Sequence, residues 1–86
     1  MQDIEIQYGA IKNARDNGGW LPFLIVDGKF EGSTWEAKGY DKDKALHLAN
    51  FKAKCASERY LGDYRVIIEE AKNVKNPQIS RQHIPY

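Results

Sequence analysis

The chain has 86 residues, with 42% hydrophobic and 29% charged side chains, which makes one folded domain with a modest core and speaks against disorder. Thirteen basic and twelve acidic residues leave a net charge of +1. That balance excludes the strongly acidic surface of a DNA mimic and lacks the clustered basic excess of a typical nucleic-acid binder.

Residues 1–19 carry two patterns. Ile4, Tyr8, Ile11 and Arg15 lie at helical spacing, with Asp3 as a cap and Gly18-Gly19 as a stop. Ile4, Ile6 and Tyr8 alternate as a strand would, and Gly9 weakens either pattern. The helical one is preferred and predicts a helix over about 3–16.

Trp20 to Val26 is short, apolar and rich in strand formers. Pro22 cannot donate to a ladder, so the strand is expected to be an edge or bulged there. Asp27-Gly28 signals a two-residue hairpin turn, with a return strand over about 29–38. That turn sets Ile25 opposite Phe30 and Trp20 opposite Trp35. Leu21, Phe23, Ile25 and Phe30 then share one face, and Trp20, Leu24, Val26 and Trp35 the other. Gly32 is a candidate bulge that would change this register. Both faces are apolar, so one helix cannot cover both. The N-terminal segment, or a partner, is expected over the second face.

Residues 39–62 form the clearest element. Asp41 is placed to cap a helix, Asp43 adds charge that the helix dipole favours, and Gly62 is placed to end it about five turns later. Ala45, Ala49, Ala53, Ala56 and Tyr60 fall on one stripe, which lets the helix lie close on a sheet. Lys44, His47, Asn50, Lys54 and Glu58 face water, and Phe51 lies on that side too. A further strand is expected from Tyr64, with Tyr64, Val66 and Ile68 pointing one way and Arg65, Ile67 and Glu69 the other. The core is expected to use Trp20, Phe23, Ile25, Leu48, Val66 and Ile68. Residues 73–86 are polar and aperiodic, a tail or arm whose Ile79, Ile84 and Tyr86 can dock back on the domain of residues 1–72. The expected fold is α+β. It has an antiparallel sheet of about three strands, one long helix packed on it, and the order (α)-β-β-α-β.

No chemical site emerges. His47 and Cys55 are eight apart on the helix and diverge by about 80°, with no second ligand pair. His83 lies in the tail. Cys55 beside the alanine stripe reads as a buried, inert thiol. The glycines lack phosphate-loop spacing, and Glu69-Glu70 point to opposite sides of a strand. No catalytic residue, metal or cofactor is expected, and the chain is not expected to be an enzyme. The single cysteine cannot close an internal disulfide, which fits a reducing compartment. No apolar run spans a membrane and no leader opens the chain, so a cytoplasmic protein without a membrane partner is expected.

Three resemblances bear on partners. Gly39, Asp41, Lys42, Ala45, Ala49 and Ala53 resemble the C-terminal half of double-stranded-RNA-binding domains over roughly residues 23–56. There a Gly precedes a Ser-Lys-Lys turn and an alanine-spaced helix, and the lysines touch phosphates across a groove. Asp41 and Asp43 stand where that family has Ser and the second Lys. The ββα portion looks like the sheet of AP2-type and integrase arm-binding domains. The resemblance implies base-reading candidates at Lys29, Glu31, Ser33, Thr34, Trp35 and Lys38. Trp20 to Ala71 also resembles, in size and element order but in no residue-level motif, the small phage-encoded inhibitors that include anti-CRISPR proteins. Their mode of action implies covering a surface of a host protein complex, such as a host defence nucleoprotein complex, in the host cytoplasm.

Two functions follow. The first is non-enzymatic protein binding. The chain holds two Trp, five Tyr and three Phe, and Trp, Tyr and Arg anchor interfaces. Trp20, Trp35, Tyr40, Phe51 and Arg59 are the candidate contacts. The alternative is nucleic-acid binding, with Lys38, Lys42, Lys44, Lys52 and Lys54 around the helix and Lys72, Lys75 and Arg81 in the tail on phosphates. A homodimer through the uncovered sheet face is compatible with both.

Overall fold

A computed structural model describes residues 2–15 and 18–71. It has one helix on a four-stranded mixed sheet. The strands are β1 (Gln2–Lys12), β2 (Trp20–Val26), β3 (Lys29–Gly32) and β4 (Tyr64–Glu70), with the helix α1 (Lys42–Ser57) between β3 and β4. The spatial order is β3-β2-β1-β4. The α+β class is as expected, but two features differ. There are four strands rather than about three, and the sheet is not wholly antiparallel, because β4 runs parallel to β1.

The first segment is a strand and not the predicted helix. Its place decides this. β1 lies inside the sheet, paired with β2 on one side and β4 on the other. Alternation therefore serves both faces: Ile4 and Ile6 are buried under α1, and Ile11 is buried on the opposite face. A helix would have satisfied only one face. The segment thus forms the middle of the sheet rather than a cover for it. Gly9 is accommodated because Phe23, its direct partner on β2, lays its ring over the missing side chain. A Cβ there would meet Phe23 Cζ at 2.7 Å.

The Asp27-Gly28 turn forms as expected, with φ of 52° and 82°. Ile25 pairs with Phe30, but β3 stops at Gly32 instead of reaching Lys38. Trp20 therefore pairs with Tyr40 and not with Trp35. The reason is local. Trp20 exchanges hydrogen bonds with Tyr40 at 2.7 and 2.8 Å, so Trp20 turns its polar groups away from β1. Pro22, two residues on, turns the same way and offers no donor to a continuing β3. Pro22 thus sits at a local edge, as its chemistry requires. Gly32, at φ 143°, bends the chain away.

The helix begins where predicted. Lys44 N–H donates to the Asp41 carboxylate at 2.8 Å, and Asp43 lies in the first turn. It ends at Ser57, short of Gly62. The N–H groups of Glu58, Arg59 and Tyr60 bond three residues back, tightening the chain into successive turns. Gly62 (φ 102°) lies in the turn that leads into β4.

Ala45, Ala49, Ala53 and Ala56 are all buried. Ala53 and Ala56 pack on Ile4, Ile6, Leu24 and Val26, with Tyr60, Tyr64, Val66 and Ile68 around them. Of the expected core residues only Phe23 is fully buried. Trp20, Ile25, Leu48, Val66 and Ile68 are half-buried, because α1 sits over the two inner strands and only lightly on β4. The second face carries its own cluster of Ile11, Leu21 and Phe23, with Phe30 stacked on Phe23 at 5.6 Å.

Candidate partner-binding groove

Residues 13–15 and 18–19 meet the loop 33–39 at the end of the sheet, and one side chain joins them. Asn13 is buried, and its amide is fully used. Nδ2 donates to the carbonyls of Gly18 (3.1 Å) and Glu36 (2.9 Å), while Oδ1 accepts from the N–H groups of Arg15 (3.2 Å) and Glu36 (3.1 Å). Ala14 N–H adds a bond to the Thr34 carbonyl. In loop 33–39, Ser33 Oγ accepts from Trp35 N–H and donates to Trp35 C=O. This arrangement fixes the wall that follows β3.

Between that wall and α1 runs a groove made of three adjoining concavities of about 220, 210 and 260 Å³, with Lys52 lining all three. Its floor is Pro22 and Leu24 of β2. Lys38 and Tyr40 stand at one end with Ser33 and Glu36, and Cys55, Ala56 and Arg59 at the other. The groove exists because the helix axis lies over β1 and β2, leaving β3 uncovered. Arg59 Nη2 lies 3.8 Å from Glu31 Oε1, an exposed pair that spans the groove. Lys44 Nζ sits 5.5 Å from the Tyr40 ring at the other end.

The aromatic residues selected from sequence divide into two groups. Phe51 (65% exposed), Trp35 (56%) and Tyr40 (41%) are open to solvent. Tyr40 and Cys55 line the groove, and Phe51 stands one helical turn before Cys55. Trp35 projects from the loop wall under the Arg15 guanidinium, 4.6 Å from the ring centre. Trp20 belongs elsewhere. It is half-buried beneath the start of α1, with Lys42 Nζ 5.0 Å above its ring, and faces a separate concavity on the other flank. Cys55, expected to be buried and inert, is exposed.

The lysines do not converge. Lys38 and Lys52 border the groove and Lys44 lies over the Tyr40 ring, whereas Lys42 and Lys54 point in other directions around the helix axis. Lys72, Lys75 and Arg81 lie outside the described residues, as does the expected tail. Sequence reasoning missed Asn13 and the groove floor. A buried Asn that joins two loops distant in sequence has no sequence signature, and Pro22 and Leu24 read only as strand residues.

The charged groups keep to ordinary surface chemistry. The Arg65 guanidinium donates twice to the Asp3 carboxylate at 2.9 Å, which lowers the Asp3 pKa below the usual aspartate range and raises that of Arg65. Among the described residues no three His, Cys, Asp or Glu side chains gather as metal ligands, and no helix is long and apolar enough to cross a membrane. No family of proteins, no curated protein and no solved structure matches this chain.

Proposed function

We propose that the chain is a non-enzymatic partner-binding protein that acts by covering a surface of a larger protein complex, in the manner of the small phage-type inhibitors. The groove along α1 carries this proposal. It offers an apolar floor (Pro22, Leu24, Ala56), an exposed aromatic in its lining (Tyr40), a second on the same helix one turn before Cys55 (Phe51), and a cationic surplus. Lys38, Lys52 and Arg59 border it, with Lys44 over the Tyr40 ring, against Glu31 and Glu36. Protein interfaces favour this combination of aromatic and Arg anchors within a polar rim. The lysines spread around the helix favour a protein over a duplex, whose phosphates call for one continuous basic stripe.

The test is capture from bacterial lysate on the immobilised full chain, with and without nuclease, using the wild type, Phe51→Ala and Lys52→Glu. A discrete protein assembly should survive nuclease treatment. Its affinity should fall about 30-fold in Phe51→Ala if that ring is an anchor. Retention only of nuclease-sensitive material, or binding by both variants as tight as that of the wild type, would overturn the proposal.

A further inference from the structure

β4 ends the sheet on the side away from β3, and its outer edge is self-complementary. Ala71 N–H donates to the Tyr8 carbonyl at 2.7 Å, so the odd-numbered residues of this strand turn their polar groups toward β1. Val66, Ile68 and Glu70 therefore present N–H and C=O outward, and among the described residues no strand pairs with them, whereas Tyr64 is engaged by the preceding turn, its N–H donating to the Tyr60 carbonyl at 3.0 Å. The strand carries charge at Arg65, Glu69 and Glu70 but lacks the other usual protections of an edge. It contains no Pro, Gly or Lys, and its pairing with β1 runs one-to-one over seven residues without a bulge. Val66, Ile67 and Ile68 are only half-buried.

We infer that β4 pairs with β4 of a second copy of this chain, antiparallel about a two-fold axis through Ile67. Arg65 then faces Glu69 and Val66 faces Ile68, each twice by symmetry, and Ile67 faces itself once on the axis, while Tyr64 comes opposite Glu70 at the two ends with its N–H held by Tyr60. Val66 and Ile68 meet as a hydrogen-bonded pair using the outward groups of both strands. Arg65 and Glu69 form a non-hydrogen-bonded pair, in which side chains approach most closely. Slipping each strand to the next register of the same parity sets Arg65 opposite Ile67 or Ala71 and loses the charge pair. Arg65 has capacity for the new partner. Asp3 uses N–H groups of Nε and Nη2, and a guanidinium carries five. An axis normal to the sheet keeps both helices on one side and extends four strands to eight. The groove on the β3 side stays open, so this dimer and the proposed function fail independently.

The test is sedimentation velocity on the full chain across a concentration series up to its solubility limit. The wild type should show a concentration-dependent dimer. Glu69→Arg sets arginines opposite each other at two symmetric positions while leaving the Asp3–Arg65 pair intact. It should weaken the dimer on the order of tenfold with an unchanged circular dichroism spectrum. Arg65→Glu should do the same alone. An equimolar mixture of the two variants should recover wild-type affinity, because every cross-strand pair is again opposite in sign. A wild type that sediments as a monomer at every concentration would overturn the inference, as would a Glu69→Arg dimer of undiminished affinity.

Discussion

The two flanks of the helix handle the same shortage in different ways. A single helix lies over the two inner strands and leaves both outer strands thinly covered. On the β3 side the chain makes its edge short and bent: four residues, a proline on the neighbouring strand, and a glycine at φ 143° where the strand turns away. What remains there is a groove. On the β4 side the edge is seven residues long and unbulged, with an apolar centre of Val66, Ile67 and Ile68 between charges of opposite sign near its two ends. One flank thus discourages strand addition and presents side chains, while the other invites strand addition.

Four measurements would break or sharpen that contrast. The largest effect should come from Ile6, fully buried beneath the alanine stripe and common to both flanks. Ile6→Ala should cost about 2–5 kcal/mol in urea unfolding. A loss within the scatter of surface substitutions would mean the helix does not seat on β1 as described. Asn13→Ala comes next and should act on the groove side alone. It leaves the Glu36 N–H and the Gly18 carbonyl without their partners, at about 1–3 kcal/mol. Amide exchange should rise in loops 13–19 and 33–39 but not in β4. Equal loosening of β4 would show that the flanks are coupled.

Gly32→Ala should cost about 1–2 kcal/mol, because its φ is one that side chains rarely adopt and a Cβ there would meet Phe23 at 3.2 Å. A stabilised variant would mean that β3 can run on as a regular strand. The smallest effect belongs to the Asp3–Arg65 pair on the β4 side. The folded carboxyl has the lower pKa, so its contribution is present above the unfolded pKa and fades as pH falls through the folded one. Both side chains are exposed, so the loss should be slight. An NMR titration of Asp3 should place its pKa below the ordinary aspartate range and return it to that range in Arg65→Gln. An unchanged value in that variant would show that the pair does not form in solution.

Much of the helix and the first hairpin turn was legible because each has a local cause. Asp41 caps, Asp27-Gly28 turns, and the alanines repeat at helical spacing. The first strand was not. Ile4, Tyr8 and Ile11 fit a helix as well as residues facing both sides of a strand can. What decides between them is β4, about 60 residues away, whose parallel pairing no local pattern announces. The return strand was over-extended for a similar reason, since the consequence of Pro22 fell on its neighbour. At the groove, Tyr40 and Arg59 were recognisable by residue type, whereas Asn13 has a role only once the two loops are side by side.

The parallel pairing of β1 and β4 also constrains how the chain folds while it is being made. The three-strand meander is complete at Gly32, yet it has no cover until α1 follows and no second ladder for β1 until Tyr64–Glu70 emerges. The strand synthesised first is thus the last to be fully paired. A nascent or truncated chain ending before β4 leaves the β1 edge unpaired and strips Val66 and Ile68 from the flank of the Ile4–Ile6 cluster, the condition under which β-rich intermediates associate with one another. Stability in this protein therefore arrives late and largely in one step, once the fourth strand closes onto the first.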